Sequence, residues 1–188
     1  MVSPTAEKLL TSEEFEFLPD PEGGCTELVD GLVVTAPLPG AARGERSECL
    51  AFALGTFAGL HSLGTVVVAS GYCLKRNPDT VRGPDVSFVA TARMPVSGPP
   101  AGYFDGAPTL AVEVISPNNA ERDVLVKVGE YLDAGAERVW LVRSANKTVT
   151  VYFAGGEVAT LHPGDTLDSS HAGFSVDGFA LPIDEIFA

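Results

Sequence analysis

Three charged side chains stand where charge is costly, and together their types suit one chemistry. Glu113 lies in the middle of the apolar run TLAVEVIS (109–116). Alternation along an extended segment sends Leu110, Val112 and Val114 to one face and Ala111, Glu113 and Ile115 to the other. A carboxylate buried there without a partner costs several kcal/mol, so it needs a cation or a metal. Asp85 opens a second apolar run, PDVSFVA (84–90), directly after Gly83-Pro84. Pro84 lacks a backbone donor and fixes its own torsion, so this strand starts abruptly beside the aspartate. Two carboxylates on neighbouring strands, with a backbone carbonyl beside them, form a hard oxygen site suited to Mg2+. Lys127 sits in ERDVLVKVGEYLDAG (121–135), where Leu125, Val128 and Leu132 are expected to form the apolar stripe, with Val124 and Tyr131 alongside. Its i−3 and i+4 neighbours are Val124 and Tyr131, which places it near the buried edge, within reach of the carboxyl end of the preceding strand.

Each residue also has a plainer reading. Glu113 could form an internal pair with a nearby Arg or Lys. Asp85 could make only a local turn hydrogen bond. Lys127 could pair on the surface with Asp123, four residues back, for a few tenths of a kcal/mol. Cys25, Cys49 and Cys73 are scattered without CxxC spacing, and His61, His162 and His171 form no HxxH or HxxxH pair. Neither set reads as a zinc site or a disulfide framework.

The elements that must position these groups are legible in outline. Thr11-Ser-Glu-Glu14 is a capping box and predicts a short helix ending before Pro19. TELV, Asp30-Gly31 and LVVTA predict a tight hairpin. Residues 42–61 predict the first long helix, with Leu50, Leu54, Phe57 and His61 at helical spacing and Phe52 and Leu60 flanking. Strands are expected over 65–70, 72–76, 84–90 and 109–116, with a Pro- and Gly-rich loop over about 95–108. Asn118 or Asn119 is expected to cap a helix over about 119–134 that Gly135 ends. Strands over 138–143 and 147–153 follow, then a Gly155-Gly156 turn into EVATLH and a short terminal helix in PIDEIF. No Pro/Ser linker divides the chain, and 188 residues suit one domain.

The net charge of −13 weighs against a nucleic-acid surface, because Lys and Arg drive affinity for phosphate. Its distribution softens the objection. Residues 31–104 hold six basic residues (Arg43, Arg46, Lys75, Arg76, Arg82, Arg93) against four acidic ones (Glu45, Glu48, Asp79, Asp85), which leaves room for a weakly basic patch or for a merely solvated face. Tyr72, Phe88 and Tyr103 could stack on bases, although strand aromatics more often fill cores. No apolar run approaches the ~18 residues of a membrane span. The acidic N-terminus lacks the order of a signal peptide, so a cytoplasmic location is expected.

The run from ELVDG through PDVSFV, LAVEVIS, RDVLVKVGEYLDAG and RVWLV resembles the Uma-type restriction endonuclease family, within the PD-(D/E)XK nuclease superfamily. The likeness extends from TSEEFEFLPD to the closing LPIDEIF. Each motif alone is weak, but their order and spacing together are specific. The resemblance implies an α/β (α+β) fold: a restriction-endonuclease-like central mixed β-sheet flanked by helices, with an N-terminal hairpin and extra C-terminal strands. It implies an endonuclease that hydrolyses phosphodiester bonds of nucleic acid, DNA before RNA, with Mg2+ (or Mn2+) as cofactor, and a homodimer.

Carried over by position, Asp85 and Glu113 match the metal-ligating acids, with the Val114 carbonyl as a further ligand. The parent superfamily places a lysine two residues after the second acid; here Ile115 stands there. The resembled family carries that lysine on the next helix, at the place of Lys127, as the catalytic lysine. Glu27 in ELVDG matches a further acidic site position, and Tyr131 matches a family position too. A histidine that the family often shows early in its first long helix is missing; the region reads Ala42-Arg43-Gly44-Glu45-Arg46. That departure bears on substrate handling more than on metal binding. Two other functions compete: a non-catalytic binding module of nuclease fold, favoured by the negative charge and the missing histidine, and a structural protein whose Glu113 is neutralised by Lys127.

Overall fold

A computed structural model describes residues 8–188 except 20, 22, 23, 39, 117 and 118. The chain opens with α1 (Ser12–Glu16), whose capping box is formed: Glu14 N donates to the Thr11 hydroxyl, and Thr11 N donates to the Glu14 carboxylate. The hairpin of β1 (Gly24–Val29) and β2 (Leu32–Pro37) follows. Its turn residues Asp30 and Gly31 both have positive φ, 49° and 80°, as a tight two-residue turn requires. A Cβ on Gly31 would lie 2.7 Å from that of Leu9, so only glycine fits there.

Helix α2 (Ala41–Leu60) buries Ser47, Leu50, Leu54 and Ala58, a single stripe at helical spacing. Phe52 and Leu60, expected to flank that stripe, are instead mostly exposed. Then come β3 (Gly64–Val68), β4 (Tyr72–Lys75), β5 (Thr80–Arg82), β6 (Val86–Ala90), β7 (Phe104–Asp105) and β8 (Leu110–Ile115). Helix α3 (Glu121–Asp133) leads to β9 (Arg138–Arg143), β10 (Thr148–Phe153) and β11 (Val158–Leu161). The chain closes with β12 (Thr166–Asp168), α4 (Ser169–Ala172), β13 (Ala180–Pro182) and α5 (Ile183–Ile186).

Six strands form the main sheet in the order β11-β10-β9-β8-β6-β3, parallel only between β8 and β9. The alternation read from TLAVEVIS sorts its two faces. Leu110, Val112 and Val114 join Leu50, Leu54 and Ala58 of α2 in the larger core. On the opposite face Ala111, Val139 and Leu141 pack on Val124, Val128 and Tyr131 of α3. A second sheet, in the order β2-β1-β5-β4-β7, carries the hairpin beside these layers.

Several local expectations are corrected. The buried stripe of α3 is Val124, Val128 and Tyr131, because the helix is rotated so that Leu125 is 44% exposed and Leu132 only half-buried. Ala120 is the N-cap of α3 and makes no side-chain cap bond, while Asn119 Oδ1 accepts from Ser116 N, closing the turn before the helix. Asn118 lies outside the described residues. Strands β5 and β7 and the β12–α4–β13 unit were not anticipated; each strand has only two or three residues, too few for a period to register. Gly135 does end α3 with φ 96°, and Ala136 N donates to the Tyr131 carbonyl.

Candidate active site

Register places the two acids side by side. β6 pairs with β8 so that Val86 faces Val112, and one further residue along that register sets Asp85 level with Glu113. The Asp85 carboxylate is fixed by Val114 N, which donates to Oδ2 at 2.7 Å. Glu113 lies on the sheet face covered by α3, with its side chain only 4% exposed. There the Tyr131 hydroxyl donates to Oε1 at 3.1 Å.

Helix α3 also delivers the amine. Lys127 falls between the buried Val124 and Tyr131 turns, so its side chain runs along the edge of the packed face. Its ammonium lies 2.8 Å from Glu27 Oε1 and 3.6 Å from Glu113 Oε1. Lys127 therefore points to the two carboxylates rather than to Asp123. Glu27 comes from β1, and Arg82 of β5 locks it in turn, donating to Glu27 at 2.8 Å and to Glu130 of α3 at 2.7 and 3.0 Å. The second sheet thus contributes a charged row that braces Lys127 over the first.

A further cation joins the site from α2. Arg43, in the first turn of α2, donates to both oxygens of Asp85, from Nε at 2.9 and 3.0 Å and from Nη2 at 2.8 Å. The same Nη2 lies 3.8 Å from Glu113 Oε2. A signal for it exists in the helix pattern: counting back four residues from Ser47 on the buried stripe of α2 gives Arg43. A cation on the buried face of a helix needs a buried anion.

These groups line one cleft of about 520 Å³, to which Glu27, Arg43, Arg82, Asp85, Glu113 and Lys127 all contribute. Burial pushes the Glu113 carboxyl up to about 7; Lys127 and Arg43 pull it down, while Asp85 and Glu27 add to the rise. Burial would also raise Glu27, but Lys127 and Arg82 outweigh it and hold that group below the usual carboxylate range. Burial disfavours the charged form of Lys127, yet Glu113 and Glu27 more than offset it and the pKa is raised. Burial, with Glu113 and Glu27 adding to it, keeps the Tyr131 phenol protonated far above its ordinary range, as a donor to Glu113 must be.

The two acids, Asp85 and Glu113, offer hard oxygen donors of the kind a divalent cation takes. Among the described residues no group of three or more His, Cys, Asp and Glu could hold a metal ion. Mg2+, however, is bound through one or two carboxylates and keeps several waters. Asp85 and Glu113 supply that pair, with the Val114 backbone beside them, provided Arg43 gives way.

Outside the cleft, three of the basic side chains of the stretch over 31–104 have partners within the protein. Arg76 pairs with Glu13 and Asp79, Lys75 with Asp30, and Arg93 donates to the carbonyls of Gly135 and Ala107. Of the aromatics that could have met bases, Tyr72 and Phe88 are buried in cores, while Tyr103 lines the cleft. The histidines stand apart from the site, His61 packing on Phe57 and His162 and His171 beside Asp165 and Asp168; the three cysteines are free, and of these Cys25 lines the cleft.

The sequence matches the profile of the Uma2 family, described as "Putative restriction endonuclease", over residues 12–182. The chain belongs to the Uma2 family. A solved structure described as "a putative nuclease belonging to DUF820 from Anabaena variabilis" superposes with a TM-score of 0.78 at 21% identity, covering 95% of this chain and 97% of that one. That likeness shows that this Uma2 member shares the fold of that structure over nearly the whole chain. Among curated proteins none matches the chain. Among the described residues, no helix is long and apolar enough to cross a membrane.

Proposed function

We propose that this Uma2-family chain is a divalent-cation-dependent nuclease that hydrolyses a phosphodiester bond of nucleic acid, DNA in the first instance, at the Asp85–Glu113 pair. The observation that carries this reading is the convergence of both acids on one cationic atom. Arg43 Nη2 lies 2.8 Å from Asp85 and 3.8 Å from Glu113, while the Lys127 ammonium stands 3.6 Å from Glu113 on the other side. Two hard acids able to share one cation, beside a braced amine, are what metal-assisted phosphodiester hydrolysis requires.

A Mg2+ ion held there supplies Lewis-acid polarisation of the phosphate and a lowered pKa for a water. The chain's own residues do the remaining work. Val114 N and the Tyr131 hydroxyl fix the orientation of the two carboxylates. Glu27 holds Lys127 where its ammonium can orient the attacking water or offset charge growing on the phosphoryl oxygens. A water oxygen bonds to phosphorus as its proton passes to solvent, the P–O ester bond breaks, and the departing alkoxide takes a proton from solvent.

The charge of the cleft fits a metal-dependent rather than a metal-free encounter with nucleic acid. Three carboxylates (Glu27, Asp85, Glu113) face three cations (Arg43, Arg82, Lys127) across the cleft, and a divalent ion would make that balance positive. Nicking of supercoiled plasmid with Mg2+ tests the proposal: wild type should cut, EDTA should stop it, and Asp85→Ala and Glu113→Ala should be inactive while still folded. Activity persisting in either purified variant rejects the site. The Arg43–Asp85 fork favours one further reading, a non-catalytic binding module, since it satisfies Asp85 without a metal. Plasmid and RNA left intact at every Mg2+ and Mn2+ concentration, with nucleic acid nonetheless bound, would select it.

A further inference from the structure

Arg43 occupies an improbable place for a structural cation. It lies in the first turn of α2, where the helix dipole disfavours positive charge, and its side chain is 24% exposed. Its fork takes both oxygens of Asp85 and leans toward Glu113. A guanidinium and a divalent ion cannot share those lone pairs, and they repel each other at that distance. We infer that Arg43 is a latch on the cation position, a built-in occupant that a divalent ion must displace before Asp85 and Glu113 can hold it. The inference rests on the cation-site reading above and deepens it by naming what sets the site's affinity.

The surroundings supply what a displaceable occupant needs. Arg43 lines the main cleft and also a second, largely apolar cavity of about 440 Å³ bounded by Ser47, Ala51, Phe52, Val68 and Asp85. Its side chain therefore has space to leave Asp85 on either side. The backbone it departs from is tied down, because the Ser47 hydroxyl donates to the Arg43 carbonyl. Asp85 keeps the Val114 N–H when the fork opens, so its carboxylate stays oriented. Release thus changes the charge of the site without requiring the sheet or α2 to move.

The test is calorimetric titration of Mn2+ into metal-stripped wild type, Arg43→Met and Arg43→Lys, with Asp85→Asn as the control that should not bind. Arg43→Met should bind roughly tenfold to a hundredfold more tightly than wild type, the range expected for losing a charge-assisted fork. Arg43→Lys should fall between them, since an ammonium keeps the charge but cannot chelate both oxygens. In wild type the Arg43 Nε–H resonance, held by Asp85, should move on adding Mg2+. Equal affinities for wild type and Arg43→Met, with that resonance unmoved, overturn the latch and leave the cation site standing. A lysine variant no tighter than wild type overturns the fork as the cause. Absence of binding in every protein overturns the latch and the metal reading together. Should Arg43→Met fail to fold, the lysine variant and the resonance decide the matter.

Discussion

Without divalent cations, raising the pH from about 5 to about 8 should cost the fold about 3 kcal/mol through Glu113 alone. Burial lifts the folded carboxyl from its ordinary 4.5 to about 7. Between those values the native protein holds a proton that the unfolded chain has already released. Stability from this group is therefore fully present below pH 4.5 and is lost as pH rises toward 7, the reverse of the usual acid-denaturation sign. Glu27 acts oppositely: held low by Lys127 and Arg82 against its own burial, it contributes stability above 4.5 that is lost only as pH falls further, outside the window. Urea unfolding in EDTA, at about pH 5 and about pH 8, on wild type and Glu113→Gln isolates the effect, because other groups titrate alike in both. Wild type should lose about 3 kcal/mol more than the variant over that range. Parallel pH profiles for the two proteins would refute the buried, proton-holding Glu113.

Four further outcomes follow from the same contacts. Lys127→Met removes the cation between Glu27 and Glu113 and should cost about 1–3 kcal/mol, the lower part reflecting its partial exposure, read from the urea midpoint. Tyr131→Phe deletes the donor to Glu113 Oε1 and should cost about 1–2 kcal/mol in the same assay with secondary structure unchanged. Arg82→Met leaves Glu27 and Glu130 without their shared partner and should be worse, about 3–5 kcal/mol, since the arginine is only 7% exposed. Gly31→Ala should lower the thermal midpoint by forcing a Cβ into Leu9 at a φ of 80°.

Much of this arrangement was legible because single residues broke local rules. Glu113 in an apolar strand and Lys127 at the edge of a packed helical face each announce a buried charge, and the structure brings both together with Asp85 and Glu27. Pattern also sorted the two faces of β8 correctly, since alternation fixes side-chain direction once the strand is known. Helical phase was harder: apolar residues on three sides of α3 left the buried stripe ambiguous by one residue, and packing on Val139 and Leu141 chose Val124, Val128 and Tyr131. The Arg82 brace leaves no sequence signal because β5, which carries it, is three residues long. Arg43 carries half a signal, since its spacing of four from the buried Ser47 marks its face of α2 but not its partner. Its pairing depends on α2 lying across the start of β6, a tertiary fact with no local signature.

The most direct measurement is anomalous diffraction from crystals soaked in Mn2+. The expected result is a Mn2+ peak between the carboxylates of Asp85 and Glu113, with the Arg43 guanidinium swung away and the Lys127 amine still beside Glu113. Crystals saturated with Mn2+ that show no peak there, with Arg43 still gripping both oxygens of Asp85, would contradict a cation-dependent centre at these acids.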